Sequence, residues 1–298
     1  MRIIGKIAAF VIALVMLESA VAANYNLGEQ RIMDSIRTAR EKGLRVNNEP
    51  FFIGNENSNT GVLLMHGFTA SPWEVKELAE YLANASNVSV YCPLIAGHGT
   101  SVRDLKETTW EDWYASANES YNLLKNTVDC VYVGGMSTGS SLALMLAMDY
   151  DVCGIIAIGT PIFFQSWLAR FAGILKYIIP YTKRELSPDI KPYYYEKRPT
   201  RAVAELIEMI ELMKERLNKV DEPIIIIQSL ADKTIKPESA DYLMNNISSR
   251  DKTFIWFTEG EHVIIKDKQR VEVFKLISEF VQEQETKRSR KQVNSTAS

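Results

Sequence analysis

The chain has 298 residues, of which 46% are hydrophobic and 24% charged, with a formal net charge of -3. That length suits a single α/β domain carrying an insertion, with one large core. The mild acidity leaves no basic footprint, so nucleic acid is not expected as a partner.

Residues 1–22 read as an export signal: Arg2 and Lys6 form the positive end, Ile7 to Leu17 are uninterruptedly apolar, and Ala20-Val21-Ala22 supplies small residues for cleavage. The expectation is a protein exported to a periplasm or the medium after cleavage near Ala22, with an uncleaved membrane anchor as the alternative. An extension over residues 23–48 follows. Within it Glu29 to Lys42 spaces Ile32, Met33, Ile36 and Ala39 at helical intervals, and Gly43 acts as a stop.

Glu49 to Gly54 predicts an edge strand. The continuous apolar run Gly61 to Met65 predicts a strand buried on both faces, ending in His66-Gly67-Phe68. A helix is expected over Trp73 to Asn84 and a strand over Val88 to Cys92. Further on come a helix over Trp110 to Lys125, a strand over Cys130 to Gly134, another helix, and a strand over Gly154 to Ile158. Such alternation implies parallel strands with helices on both faces.

Across residues 161–200 the rhythm breaks and the composition turns aromatic, through Phe163, Phe164, Trp167, Phe171, Tyr177, Tyr181, Tyr193, Tyr194 and Tyr195. Inserted after a strand, this stretch reads as a small apolar cap. The core resumes over 201–282, with a helix over Ala202 to Leu217, strands at Ile224 to Ile227 and Phe254 to Phe257, and a closing helix over Val271 to Val281. Residues 283–298 are polar, with a basic cluster at Lys287 to Lys291, and predict a solvated, disordered tail capable of peripheral membrane contact.

The chemistry is concentrated at Gly135-Met136-Ser137-Thr138-Gly139, a G-x-S-x-G between a strand-like and a helix-like run. This is the pattern of a nucleophile elbow, where the turn is so tight that its flanks must be small. Ser137 needs a base and a carboxylate to orient that base. Of the three histidines only His262 follows Ser137, after the last strand, while Asp232 occupies the matching position after Ile224 to Ile227. Asp221 and Asp251 precede strands, and Asp149 and Asp151 sit in the connection before one.

The backbone N–H groups of Phe68 and Thr138 are the candidate oxyanion donors. His66 and His98 read as loop-shaping residues. Histidines and cysteines show no metal-ligand spacing, and neither a metal nor a cofactor is expected. Cys130 and Cys153 begin two consecutive strands, and if those strands are neighbours a disulfide can join them. Cys92 is then a buried free thiol.

Taken together, the Glu49-Pro50-Phe51-Phe52 stretch, the Met65-His66-Gly67-Phe68-Thr69 loop, Gly97-His98-Gly99-Thr100, Thr109-Trp110-Glu111-Asp112-Trp113, the elbow, and Tyr195-Glu196-Lys197-Arg198-Pro199-Thr200 resemble bacterial monoacylglycerol lipases and related carboxylesterases. The resemblance runs from about Glu49 to Val281. It implies an α/β-hydrolase fold, hydrolysis of a small-molecule single-chain acyl ester, the triad Ser137, Asp232 and His262, and an oxyanion hole at Phe68 and Thr138. A short-chain carboxylesterase and a non-catalytic lipid-binding protein are the alternatives. The chain departs from the family at Ser140, where relatives carry a second glycine, and over Pro161 to Asp189, which does not align.

Overall fold

The computed structural model describes residues 27–39, 41, 43–55, 58–186, 188 and 190–296. The expected signal peptide lies outside the described residues. Helix α1 covers residues 27–39 and turns Ile32 and Ile36, one helical turn apart, into the core. Met33, expected on the same stripe, is 51% exposed, because it sits about 100° around the helix from Ile32.

The core then follows the expected alternation: β1 (Phe51–Ile53), β2 (Thr60–Met65), α2 (Lys76–Ser86), β3 (Ser89–Cys92), α3 (Val102–Glu107), α4 (Trp110–Lys125), β4 (Cys130–Met136), α5 (Thr138–Asp149) and β5 (Gly154–Ile158). The insertion contains two 3-10 turns, the short α6 (Ala172–Leu175) and a hairpin of β6 (Tyr181–Lys183) with β7 (Lys197–Pro199). It is followed by α7 (Thr200–Glu215), β8 (Ile224–Ser229), α8 (Glu238–Asn246), β9 (Lys252–Phe257) and α9 (Arg270–Thr296).

The strands form one seven-stranded sheet in the order β1-β3-β2-β4-β5-β8-β9, antiparallel only at β1. Alternate residues feed two separate cores, as the twofold period of a strand requires. Leu63, Met65, Val133, Ile155 and Ile226 pack toward α1, α4, α5 and α7. Val62, Leu64, Tyr132, Ile156 and Ile225 pack toward α2 and α9. Burial on both faces explains why the central strands read as uninterrupted apolar runs. β4 extends two residues beyond its expected end, since Gly135 and Met136 still pair with Ala157 and Ile158.

Cys130 and Cys153 are disulfide-bonded with their Cα atoms 5.7 Å apart, and Cys92 is a buried free cysteine. The closing helix does not stop at Val281. It continues to Thr296, so the described part of the expected disordered tail is helical. Polar contacts replace an apolar stripe there: Glu285 accepts from Thr60 Oγ1 at 2.7 Å and from the Tyr132 hydroxyl at 3.0 Å, and Gln284 and Lys287 donate to Asp251. Within the cap, Tyr194 and Tyr195 are core residues, whereas Trp167 and Tyr177 face solvent.

Candidate active site

The strand β4 ends at Met136 and the chain reverses at Ser137, whose φ of 54° is unusual for a residue with a side chain. The strained turn is pinned from both sides. The Ser137 N–H donates to the Ile158 carbonyl at 2.8 Å, and its own carbonyl accepts from the Ser140 N–H at 2.9 Å and the Ser140 hydroxyl at 2.6 Å. The Ser140 oxygen in turn accepts from the Thr160 hydroxyl at 3.0 Å, which shows how a serine is accommodated at the departure from the family pattern. Ser137 itself stays partly exposed while its neighbours Met136 and Thr138 are buried.

The parallel sheet brings the ends of β4, β8 and the segment after β9 to one edge, and this is what gathers three side chains distant in sequence. His262 Nδ1 lies 2.7 Å from Asp232 Oδ2, and His262 Nε2 lies 2.9 Å from Ser137 Oγ. A carboxylate on Nδ1 fixes that nitrogen as the donor, leaving Nε2 as an acceptor for the serine hydroxyl proton. Burial pushes the Asp232 carboxyl up, but His262 and the Ile235 and Thr234 amides outweigh it and hold the group below its ordinary range. Those amides donate to Asp232 Oδ1 at 2.9 and 2.7 Å. Two of the four competing acids are occupied elsewhere: Asp149 pairs with Arg216, and Asp251 pairs with Lys287.

Several supporting residues escaped the sequence reading. Gln228 donates to Asp232 Oδ2 at 3.2 Å, and the Ser229 hydroxyl donates to the Gly260 carbonyl, tying the acid loop to the base loop. The signal was present, because two buried polar residues close an otherwise all-isoleucine strand. From the cap, Gln165 Nε2 donates to the Asp232 carbonyl at 3.0 Å.

At the end of β2 the chain forms a tight loop whose amides are largely engaged. Gly67 N–H donates to Glu74, Thr69 N–H to His98 Nε2, and Ala70 N–H to the Gly67 carbonyl. The Phe68 amide between them has no acceptor among the described residues. Thr138 opens α5, where an amide has no carbonyl four residues earlier in the helix to bond. Both candidate oxyanion donors therefore keep a free N–H, Thr138 with the helix dipole behind it.

His66 and His98 hold this loop, and their ring nitrogens bond backbone groups of the loop and not Ser137, Asp232 or His262. Each ring places Nδ1 on a backbone carbonyl, Gly67 for His66 and Ala96 for His98, and accepts a backbone N–H at Nε2, from Ile95 and Thr69. Burial lowers both imidazoles, and the neighbouring His98 adds to the fall at His66, so that His66 lies at about 3 and His98 at about 4.

Residues 56–269 match the family model described as "Serine aminopeptidase, S33". A thermostable monoacylglycerol lipase of Bacillus sp. (strain H-257) is 34% identical over 78% of this chain and 93% of its own length. A carboxylesterase of Bacillus subtilis (strain 168) is 29% identical, covering 76% of this chain and 94% of the relative. Among solved structures, one from work on LipS and LipT, two metagenome-derived lipolytic enzymes, superposes with a TM-score of 0.76 at 26% identity, over 80% of this chain and 99% of that one.

Proposed function

The chain belongs to this serine hydrolase family of α/β-hydrolase fold, among lipases and esterases, and from that premise we propose that it cleaves monoacylglycerols or similar single-chain acyl esters through an acyl-enzyme on Ser137. The observation that carries the reading is the unbroken Ser137 to His262 to Asp232 hydrogen-bond chain at 2.9 and 2.7 Å.

In this mechanism Ser137 Oγ attacks the ester carbonyl carbon as His262 Nε2 takes its proton, and Asp232 stabilises the resulting imidazolium. The carbonyl oxygen becomes an oxyanion facing the Phe68 and Thr138 amides. When the intermediate collapses, the carbon–oxygen bond to the alcohol breaks and His262 Nε2 protonates the departing oxygen. A water, deprotonated by the same nitrogen, then attacks the acyl-enzyme. The fatty acid leaves, and the proton returns to Ser137.

The substrate class is supported by the cap and by the 34% identical monoacylglycerol lipase. Each acyl methylene buried against apolar side chains contributes roughly 0.8 kcal/mol. The cap also exposes Trp167, Leu168, Ile174, Tyr177 and Ile178, apolar side chains suited to touching a lipid surface. A work site outside the cytoplasm, suggested by the leader-like residues 1–22, fits the same picture.

The competing substrate class is short acyl esters, favoured by the carboxylesterase relative. A series of monoacylglycerols and nitrophenyl esters from acetyl to hexadecanoyl separates them. The proposal expects kcat/KM to climb through the medium chain lengths. A fall beyond butanoyl assigns the short-chain class instead.

A further inference from the structure

Glu74 is a buried acid held by hydrogen bonds from two other segments of the chain. It is only 2% exposed, on the 3-10 turn that precedes α2, and among the described residues no Lys, Arg or His nitrogen comes within ion-pair distance of it. Its carboxylate has two donors. Gly67 N–H, from the loop that carries the Phe68 amide, lies 2.5 Å from Oε2. The Tyr194 hydroxyl, from the cap, donates to Oε1. A buried carboxyl is costly unless its hydrogen bonds are of use to the fold or the site.

The neighbourhood shows what those bonds restrain. Gly67 is the residue with the widest backbone freedom, and it stands directly before the candidate oxyanion donor. Its carbonyl is already held by Ala70 N–H at 3.1 Å and His66 Nδ1 at 3.0 Å. That carbonyl and the Phe68 N–H belong to one planar trans peptide, so fixing the oxygen aims the N–H the opposite way. The remaining freedom is rotation about Gly67 itself, and the bond to Glu74 removes it by holding the preceding peptide. A Cβ on Gly67 would approach Glu74 Oε2 and the Met136 carbonyl to 3.3 Å each, so a side chain there would crowd the same contacts. The cap completes the clamp: Arg184 donates to Thr69 Oγ1 at 3.0 Å and lies 4.6 Å over the Tyr194 ring, and Tyr195 N–H donates to the Thr69 carbonyl at 2.9 Å.

From this geometry we infer that Glu74 is a positioning residue for the oxyanion hole, fixing the Gly67 backbone so that the Phe68 amide faces the reacting carbonyl, with Tyr194 of the cap holding Glu74 in place. The inference rests on the acyl-transfer reading for its catalytic consequence but not for its structural one. Burial raises the carboxyl above its ordinary range, while the Tyr194 and Gly67 donors and, more weakly, the nearby Arg184 and His262 pull it back. Acceptance of the Gly67 N–H is the feature that matters, and a glutamine can supply it.

The test compares the full chain with Glu74→Ala, Glu74→Gln and Tyr194→Phe. Hydrogen exchange at the Gly67 and Phe68 amides reads the loop whether or not the protein turns over any ester. Steady-state kinetics and inhibition by an alkyl trifluoromethyl ketone, which forms a tetrahedral adduct on the serine, read the oxyanion hole.

Glu74→Ala is expected to speed exchange at Gly67, lower kcat by about tenfold to a hundredfold with KM within about twofold, and weaken the ketone by the same factor as kcat/KM. Glu74→Gln restores most of each loss, and Tyr194→Phe gives a smaller change in the same direction. Should Glu74→Ala fail to fold, Tyr194→Phe carries the comparison. Unchanged exchange at Gly67, a kcat loss without loss of ketone affinity, or failure of glutamine to rescue overturns the inference. An inactive wild-type protein that also ignores the ketone overturns the acyl-transfer reading alone, and the exchange measurement still judges the clamp.

Discussion

Gly139 approaches the Met65 carbonyl so closely that a Cβ built on it would lie 2.2 Å from that oxygen, and a Cβ on Gly135 would meet the same atom at 2.2 Å. One backbone oxygen at the end of β2 thus dictates both small residues of the elbow, because the end of β2 packs against both arms of the nucleophile turn. Backbone cannot step aside as a flexible side chain can. Gly139→Ala is expected to cost at least the 1–3 kcal/mol typical of overpacking, about that much in a urea unfolding titration, and to reduce turnover by displacing Ser137. An alanine variant with unaltered stability and rate would show that the turn is looser than this contact implies.

The two loop histidines make stability sensitive to acid. Unfolded imidazole takes up a proton near pH 6.5, at about its ordinary value. His66 and His98 resist until about 3 and about 4. Between these values the unfolded state binds more protons than the folded one, so their contribution is fully present above the unfolded pKa and is lost as pH falls. At pH 5 the loss is on the order of 2 kcal/mol per histidine. Urea midpoints at pH 7 and pH 5 check this. The drop is expected to shrink in a His66→Asn, His98→Asn double variant, and an equal drop in that variant would place the acid sensitivity elsewhere.

The exposed cap face makes a separate prediction. Trp167, Ile174, Tyr177 and Ile178 are 64%, 67%, 83% and 73% exposed. Arg170 lies over the Trp167 and Phe171 rings and Lys176 over Tyr177, while no acidic residue occurs between Asp151 and Glu185. Apolar and basic groups intermixed in this way suit an anionic lipid surface. Trp167→Glu combined with Ile178→Glu should reduce cosedimentation with vesicles containing phosphatidylglycerol several-fold, with turnover of a water-soluble ester unchanged. Equal cosedimentation would assign the face another role.

Much of this was legible in the residues because it follows from patterns that burial imposes. A run such as Ile224 to Ile227 has few homes other than a strand covered on both sides, and the chain order of Ser137, Asp232 and His262 left only one histidine available. What the sequence concealed depends on partners that only the fold supplies. Nothing near Glu74 marks it as buried, since its donors come from Gly67 and from Tyr194, 120 residues away. The extension of α9 was missed for the opposite reason. Helix patterns are read from apolar stripes, whereas Gln284, Glu285 and Lys287 dock through hydrogen bonds to Asp251, Thr60 and Tyr132. The short α3 carries a Ser101 and Asp104 capping box but only one buried residue, Leu105, so it has no apolar period to read.

The central claim is that Ser137 becomes acylated by the substrate and that His262 drives both halves of the reaction. Rapid quenching of the enzyme with a monoacylglycerol, followed by peptide mass spectrometry, tests it directly, alongside Ser137→Ala, Asp232→Asn and His262→Ala. The account predicts an acyl mass increment on the peptide containing Ser137 and turnover lowered roughly 10⁴-fold or more in Ser137→Ala and His262→Ala. Ester hydrolysis that proceeds with Ser137 unmodified, or at a near-normal rate in Ser137→Ala, would contradict it.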